Sequence, residues 1–290
     1  MTFKHLVLSG GSWKGLYMAG AIDVFIKKKY IELDKIETIY ATSVGTLIST
    51  LIALKIEWDS IIKYFINVPI KQLDNLNLEM CVSMFNDCGI LDKDFFIKLL
   101  GSLFKSKYLD IESITLKDFY NYSNIELNFF AIEFDSMKTV NFNHINYPNI
   151  KLLDALYCSC TFPYLFKPSK INDKIYLDGG LNVHYPSKYC LKKYSNDSIL
   201  GIYIRTQSCL TSNTDNMLNF GVSLIYKLIF TSQLENLEKL KNQLIIDTEG
   251  KLVNTIIDLV KNKNLREKVI NEGVEKATLY LNDSIQKLDK

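Results

Sequence analysis

Apolar residues recur at the start of the chain in two successive units of the same order: a strand, a tight turn and a helix. The first unit has an apolar strand at residues 4–8, then a glycine-rich turn, then apolar side chains at helical spacing as far as Ile26. The second unit joins a strand at 36–41, rich in β-branched residues, to a buried helix at 44–55. Two such units in sequence predict a parallel sheet covered by helices.

The middle of the chain predicts mixed structure. Residues 57–120 carry few strand signals and several amphipathic stretches, which indicates a mostly helical insertion beside the sheet. Four of its apolar side chains either line an acyl groove or pack in an ordinary core: Met80, Met84, Phe85 and Phe95. After the insertion, the hydrophobic pattern predicts a helix at 152–160 and strands at 126–134, 138–143, 174–177 and 198–205.

The C-terminal part of the sequence predicts helices. Apolar residues at helical spacing from Met217 to Leu244 indicate one long helix, and those from Leu252 to Leu288 indicate a final pair. No internal repeat, low-complexity linker or composition change marks a domain boundary. We therefore expect one domain, with residues 207–290 as a helical C-terminal extension that packs on it.

Composition narrows the classes of function. With 48% hydrophobic and 23% charged residues, the 290-residue chain can build an ordinary globular core. Its net charge of +2 comes from basic residues dispersed among acidic ones, so we expect no nucleic-acid partner. No stretch approaches the roughly 18 unbroken apolar residues of a transmembrane helix, so we expect any lipid contact to be peripheral.

The cysteines and histidines argue against a metal site. The six cysteines form no C-x-x-C pair, and only three histidines accompany them. The chain runs from Met1 into the glycine-rich turn without an apolar segment long enough for a signal peptide. Free thiols in a reducing compartment are the better interpretation, so we expect a cytoplasmic protein that meets membranes only peripherally.

Ser43 stands at the turn between the second predicted strand and its helix. Small residues flank it two positions away on each side, Ala41 and Gly45. A sharp strand-to-helix turn needs such neighbours because its backbone is crowded, and it exposes one hydroxyl at the carboxyl end of a sheet. This is the geometry of a nucleophilic serine, and the alternative is a plain connection between a strand and a helix.

The glycine-rich turn after the first strand offers backbone donors. It contains, in order, Gly10, Gly11, Ser12, Lys14 and Gly15. Glycines let the chain approach a ligand closely, and the start of a helix favours negative charge. A phosphate group and the oxyanion of an acyl transfer both fit, and a merely structural turn is the alternative. The phosphate-loop and dinucleotide patterns fail here, which leaves a nucleotide-binding module as the weaker hypothesis.

Asp178 ends a predicted strand and precedes Gly179 and Gly180. A carboxylate there lies at the carboxyl end of the sheet, where open α/β sheets bind ligands, although Asp-Gly is also a common turn. A nucleophilic serine needs a base, and in the usual triad this is a histidine. His184 is the one credible histidine, but a carboxylate in contact with the hydroxyl can serve instead. The residues alone do not choose between Asp178 and His184.

Together, these stretches resemble the patatin-like phospholipase family, which carries a glycine-rich loop, a G-x-S-x-G serine and a D-G-[GA] aspartate in that order. A further Pro-containing stretch also resembles the family, so the matching segments are residues 10–15, 41–45, 159–168 and 178–180. The resemblance covers roughly residues 4–206. It indicates a patatin-like α/β catalytic core at 1–206, followed by the helical extension.

The resemblance implies a three-layer α/β/α sandwich with a mostly parallel central sheet. It also implies a dyad without histidine, in which Ser43 is the nucleophile and Asp178 is the base. The implied oxyanion hole consists of the amides of Gly10, Gly11 and Ser12. The implied reaction is hydrolysis of a fatty acyl ester of a phospholipid or related lipid, with no metal or cofactor.

Three positions depart from the family's pattern. Ser12 replaces a loop glycine, Ala41 replaces the first glycine of the serine motif, and His184 stands where an asparagine is usual. No catalytic group is lost, and Lys14 keeps the basic position of the loop. Because the first two changes narrow the site, a catalytically weak or inactive lipid-binding protein on the same scaffold is the second hypothesis.

Overall fold

The computed structural model describes residues 2–68, 86–206, 238–248 and 262–288, together with eight positions between 220 and 231. The predictions for Met80, Met84, Phe85, Met217 and Leu252 lie outside the described residues. Phe95, the remaining candidate for an acyl groove, packs against Phe96 and Phe166. None of the described helices is long and apolar enough to cross a membrane.

The first part of the chain follows the predicted order of two strand-turn-helix units. The helices with complete bounds are α1 (Gly15–Lys27), α2 (Val44–Ala53), α3 (Trp58–Asn67), α4 (Lys93–Lys105), α5 (Leu116–Ser123), α6 (Leu152–Cys160), α7 (Ser187–Leu191) and α8 (Lys263–Leu288). The described strands are β1 (His5–Leu8), β2 (Thr38–Thr42), β3 (Gly89–Leu91), β4 (Glu126–Glu133), β5 (Lys138–Phe142), β6 (Tyr164–Phe166), β7 (Ser169–Ile171), β8 (Lys174–Asp178), β9 (Ile199–Thr206) and β10 (Asn242–Thr248).

The central sheet has the strand order β10-β9-β1-β2-β4-β8-β7, with β5 paired to β4. The four ladders from β10 through β9, β1 and β2 to β4 are parallel. The ladders that involve β5, β7 and β8 are antiparallel. The mostly parallel sheet confirms the predicted fold class. The carboxyl ends of its parallel strands all lie at the same end of the sheet.

Both faces of β1 and β2 are buried, as a three-layer arrangement requires. Along β1, Leu6 and Leu8 belong to one apolar cluster and Val7 to the other, and β2 repeats this alternation with Ile39 and Tyr40. The larger cluster packs against most of the helices, and the smaller one packs beneath α7 and the tyrosines around it. Helical layers therefore cover the sheet on its two sides.

Helix α8 packs directly against α1, the helix that follows the glycine-rich turn. Glycines permit this close approach, because a Cβ at Gly20 would overlap the carbonyl oxygen of Ile270. Likewise, a Cβ at Gly273 would overlap the carbonyl oxygen of Tyr17. The hydroxyl of Tyr17 also donates to Glu272 Oε2 at 3.0 Å. The C-terminal helix therefore shares its packing with the helix that carries the glycine-rich turn.

The long helix predicted from Met217 to Leu244 is wrong at its C-terminal end. Residues 242–248 form β10, which extends the sheet beside β9, and alternate side chains of this strand are buried. Leu244 follows that period of two, and the edge of β9 provides the hydrogen-bond partners. The pattern also missed β3, β6 and β7, because strands of three residues are too short to show a period. A domain boundary at residue 206 stays a prediction.

Candidate active site

Ser43 lies at a strained turn between β2 and α2. Its φ of 52° and ψ of −124° form a conformation that residues with a side chain rarely adopt, at a cost on the order of 1–3 kcal/mol. Small neighbours permit the turn: Ala41 is fully buried, and a Cβ at Gly45 would lie 2.6 Å from the carbonyl oxygen of Leu8. Although Ser43 precedes α2, its hydroxyl makes no capping hydrogen bond to that helix.

The Ser43 hydroxyl instead donates to Asp178, with 2.6 Å between Oγ and Oδ2, although the two residues are 135 positions apart. Strand β4 brings them together. Its parallel ladder with β2 ends with Thr42 opposite Phe130. Its antiparallel ladder with β8 begins at the next position, with Asp178 opposite Ala131. Since β5 pairs with the other side of β4, the carboxyl ends of β2 and β8 meet along the same side of that strand.

Asp178 is buried, with 2% of its surface exposed. Its Oδ1 accepts the N–H of Gly180 at 2.7 Å, and its Oδ2 accepts the Ser43 hydroxyl. Burial raises the pKa of Asp178 to about 6, and these two hydrogen bonds act in the opposite direction because they favour the ionised form. Gly179 has no room for a side chain, because a Cβ there would overlap the carbonyl group of Phe130.

The glycine-rich turn lies beside the Ser43 turn. Gly11 has a φ of 155° and Ser12 a φ of 55°, and a 3₁₀ turn then leads into α1. The N–H of Gly10 is already used, since it donates to the carbonyl oxygen of His184 at 2.8 Å. Within the described ranges, the N–H groups of Gly11 and Ser12 donate no hydrogen bond. These two amides, at the start of a helix, can therefore receive an anion.

Lys14, the basic residue of this turn, is buried with 3% of its surface exposed. Burial lowers its pKa to about 8, so the amine is still mostly protonated at neutral pH. Gly15 follows without room for a side chain, because a Cβ there would overlap Val44, the neighbour of Ser43. The glycine-rich turn and the serine turn are thus packed together, with a cation buried beside them.

Comparison with known proteins identifies the family of this chain. The model of the patatin-like phospholipase family matches residues 6–187, more than half of the chain. This chain belongs to the patatin-like phospholipase family. The matched segment includes the glycine-rich turn, the serine turn and the aspartate, and it ends before β9 and β10.

Two viral proteins are similar to this patatin-like chain in sequence. A probable lipid hydrolase of Invertebrate iridescent virus 6 is 28% identical over 198 residues, which cover 67% of this chain and 65% of that protein. An uncharacterized protein of Acanthamoeba polyphaga mimivirus is 25% identical over 186 residues, which cover 63% of this chain and 60% of that protein. The patatin-like chain thus spans less than two thirds of the length of either relative.

The crystal structure of VipD from Legionella pneumophila has a similar fold. The TM-score is 0.58, and the match covers 97% of the patatin-like chain and 67% of VipD at 14% sequence identity. The structural match reaches well beyond residues 6–187, so the shared fold includes elements that the family model does not match.

His184 lies inside the site of this patatin-like protein. Its Nε2 is 3.1 Å from the carbonyl oxygen of Ile204, which can only accept, so Nε2 carries the proton and donates it there. Burial lowers the pKa of the ring to about 4, so the ring is neutral at pH 7. Of the two bases that the sequence left open, Asp178 contacts the Ser43 hydroxyl, and the described hydrogen bonds include none between His184 and that hydroxyl.

Buried hydroxyl groups that the sequence did not single out hold both turns in place. Ser159 Oγ accepts the N–H of Ser43 at 3.0 Å, and the Thr46 hydroxyl donates to the carbonyl oxygen of Ser43 at 2.6 Å. The Ser9 hydroxyl donates to the carbonyl oxygen of Gly10 at 2.8 Å. Nothing local distinguishes these from other buried serines and threonines, although Ser159 begins a stretch that resembles the patatin-like family.

Proposed function

We propose that this chain hydrolyses fatty acyl esters of phospholipids or related lipids through a dyad of Ser43 and Asp178. The main support is the 2.6 Å hydrogen bond from the Ser43 hydroxyl, at a strained turn, to a buried carboxyl group. Membership of the patatin-like phospholipase family supports a lipid substrate, as does similarity to a viral protein described as a probable lipid hydrolase.

In the proposed acylation step, Asp178 takes the proton of the Ser43 hydroxyl while Oγ attacks the ester carbonyl carbon. The amides of Gly11 and Ser12 donate to the resulting oxyanion, and such a donor lowers the barrier by roughly 3–4 kcal/mol. Gly10 does not donate to the oxyanion, because its N–H already donates to the carbonyl oxygen of His184 and so holds the loop in place. The bond to the alcohol then breaks, the alcohol leaves with the proton from Asp178, and the acyl group stays on Ser43.

Water completes the proposed reaction. Asp178 takes a proton from a water molecule while the oxygen of that water attacks the acyl carbon. The same amides then receive the second oxyanion. The bond between the acyl group and Oγ breaks, the proton returns to Ser43, and the fatty acid leaves. A pKa of about 6 suits Asp178 for both steps, because the group is ionised at neutral pH yet can hold a proton in each half-reaction.

The buried lysine supports an anionic head group. Lys14 lies at the start of α1 with the two donor amides, and its pKa of about 8 keeps it mostly protonated at neutral pH. The amides receive the oxyanion of the reaction, and the cation beside them favours a phosphate group. We therefore propose a phospholipid as the preferred substrate, with a neutral lipid ester as the comparison.

Exposed apolar side chains support peripheral contact with a membrane. Tyr164 is 39% exposed, in a segment that also bonds to the backbone of Asp178. Phe220 and Leu224, four positions apart in helical geometry, are 52% and 46% exposed. They flank Gly221, where a Cβ would lie 3.0 Å from the Tyr164 hydroxyl. Apolar side chains near an active site can enter a lipid surface.

Fatty acid release from phospholipid vesicles tests the proposed reaction. The wild-type protein should release fatty acid, and Ser43→Ala and Asp178→Asn should each lower the rate by at least about 1,000-fold. Ser123→Ala should keep the wild-type rate, because this buried serine bonds to the backbone of Ile125 at the amino end of β4, and the site lies at the opposite end of the strands. A fluorophosphonate probe should form an adduct on Ser43. Full activity in either dyad variant would overturn the proposal.

An inactive or slow lipid-binding protein is the second candidate, and the conformation of Ser12 favours it. Ser12 has a φ of 55° and carries a Cβ where the family pattern has a glycine. A binding protein would associate with vesicles but release no fatty acid and form no adduct on Ser43. Ser12→Gly distinguishes a slow enzyme from an inactive binding protein. It should raise the rate of fatty acid release by a slow enzyme and leave a binding protein without activity.

A further inference from the structure

The C-terminal end of α6 contacts the backbone of both proposed dyad residues. Ser159 Oγ accepts the N–H of Ser43 at 3.0 Å. Two residues later, the carbonyl oxygen of Thr161 accepts the N–H of Asp178 at 3.0 Å. One helix end therefore holds two residues that are 135 positions apart along the chain.

Ser159 takes the place of a missing hydrogen bond in the sheet. The ladder between β2 and β4 ends with Thr42 opposite Phe130. In a parallel ladder, the next hydrogen bond would join the following N–H to the carbonyl oxygen that faces it. The turn at Ser43 interrupts this pattern. The Ser159 hydroxyl bridges the two groups, because it accepts the N–H of Ser43 and donates to the carbonyl oxygen of Phe130 at 2.6 Å.

This bridge lies where β4 changes its partner from β2 to β8. The residue after Phe130 is Ala131, which lies opposite Asp178. Ser159 has no exposed surface, so bulk water does not reach its two hydrogen bonds. Without the hydroxyl, the N–H of Ser43 and the buried carbonyl group of Phe130 would both lose their partner beside the nucleophile.

An inverse γ-turn orients the second contact. Thr161 has a φ of −73° and a ψ of 67°, and across it the N–H of Phe162 donates to the carbonyl oxygen of Cys160 at 2.7 Å. The Thr161 hydroxyl also donates to the carbonyl oxygen of Tyr157 at 2.7 Å. The turn ends α6 and presents the Thr161 carbonyl to the N–H of Asp178.

We infer that Ser159 is a positioning residue that holds Ser43 at hydrogen-bond distance from Asp178. The inference rests on the proposed hydrolase function. Ser159 touches no reacting atom, but it fixes the backbone from which the nucleophile projects. Its loss should therefore slow the chemical step rather than weaken lipid binding. A displacement of about 1 Å at a reacting group lowers the rate on the order of 100-fold.

Ser159→Ala and Ser123→Ala form a matched pair. Each removes a buried hydroxyl that accepts one backbone N–H and donates to one backbone carbonyl group, and only Ser159 bonds to the dyad. In Ser159→Ala, kcat should fall about 100-fold with KM within about twofold, and fluorophosphonate labelling of Ser43 should slow by a similar factor. Ser123→Ala should keep the wild-type kcat even if urea unfolding shows a similar loss of stability.

The pH profile provides a measurement that a merely structural role would not change. The hydrogen bond from Ser43 lowers the pKa of Asp178. If Ser43 moves away in Ser159→Ala, the apparent pKa of kcat/KM should therefore rise above the wild-type value. In Ser123→Ala this apparent pKa should stay at the wild-type value.

A wild-type kcat and an unshifted pH profile in folded Ser159→Ala would overturn this inference and leave the dyad intact. A wild-type protein that neither releases fatty acid nor reacts with the probe would overturn the proposed function and this inference together. If Ser159→Ala does not fold, Ser159→Cys replaces it, because a thiol is a weaker donor and acceptor of similar size. An intermediate kcat is then expected, and a wild-type kcat would count against the inference.

Discussion

Replacement of Asp178 by asparagine should stabilise the fold while it abolishes the proposed reaction. The carboxyl group is buried, so its ionised form loses hydration that the native site replaces only in part. Asparagine can keep both hydrogen bonds, since its oxygen can accept the N–H of Gly180 and its amide can donate to Ser43 Oγ. The substitution therefore removes the charge and keeps the contacts.

The size of this effect follows from the pKa. Burial raises the pKa of Asp178 from 3.8 to about 6, so the native protein binds this proton more tightly than the unfolded chain does. The contribution of Asp178 to the free energy of unfolding is then highest below about pH 4, falls as the pH rises to about 6, and stays lower above it. At about 1.4 kcal/mol per unit, ionised Asp178 costs the native state about 3 kcal/mol at neutral pH, and asparagine avoids this cost.

Urea unfolding of the wild type and Asp178→Asn between about pH 4.5 and about pH 8 measures the difference. The variant should gain up to about 3 kcal/mol at the highest pH and much less at the lowest. Asp173→Asn is the control, because that side chain is 95% exposed and its replacement should change stability by less than about 0.5 kcal/mol at any pH. A variant less stable than the wild type, or a difference that does not grow with pH, would show that the buried charge of Asp178 does not destabilise the native state.

The rate of hydrolysis of a water-soluble ester should rise with pH through about 6, because Asp178 must be ionised to act as the proposed base, and a profile without this rise would contradict that role. His184→Asn should keep kcat within about fivefold, whereas a loss of activity at intact fold would indicate a triad. Replacement of glycine by alanine should have opposite effects on the free energy of unfolding at two positions, measured by urea unfolding. Gly273→Ala should destabilise by about 1–3 kcal/mol, since its Cβ would overlap a carbonyl oxygen of α1. Gly101→Ala should stabilise by about 1 kcal/mol, since its Cβ would meet nothing within 4 Å in α4, and equal effects would contradict the packing. Phe220→Ser combined with Leu224→Ser should slow hydrolysis of vesicles several-fold but not of the soluble ester, and an unchanged rate on vesicles would exclude these side chains from membrane contact.

Local sequence patterns were enough to predict the backbone geometry around Ser43. Small residues on both sides of Ser43 predicted the strained turn, and the hydrophobic period predicted the helix at 152–160 with the bounds that it has. Two successive β-turn-α units predicted the parallel sheet. These features depend on backbone conformation and on the burial of residues a few positions apart, so a local pattern contains the information.

The contacts between distant groups could not be predicted from such local patterns and depend on the fold. The sequence left two bases for Ser43, and the partner change along β4 places Asp178 at its hydroxyl while His184 bonds elsewhere. Helical spacing suggested a helix through Leu244, but the open edge of β9 made that segment a strand. The bridging role of Ser159 and the raised pKa of the carboxyl group likewise depend on distant segments. Contacts across 135 positions and the burial of a charge arise from the packing of the chain as a whole, which no short stretch of sequence contains.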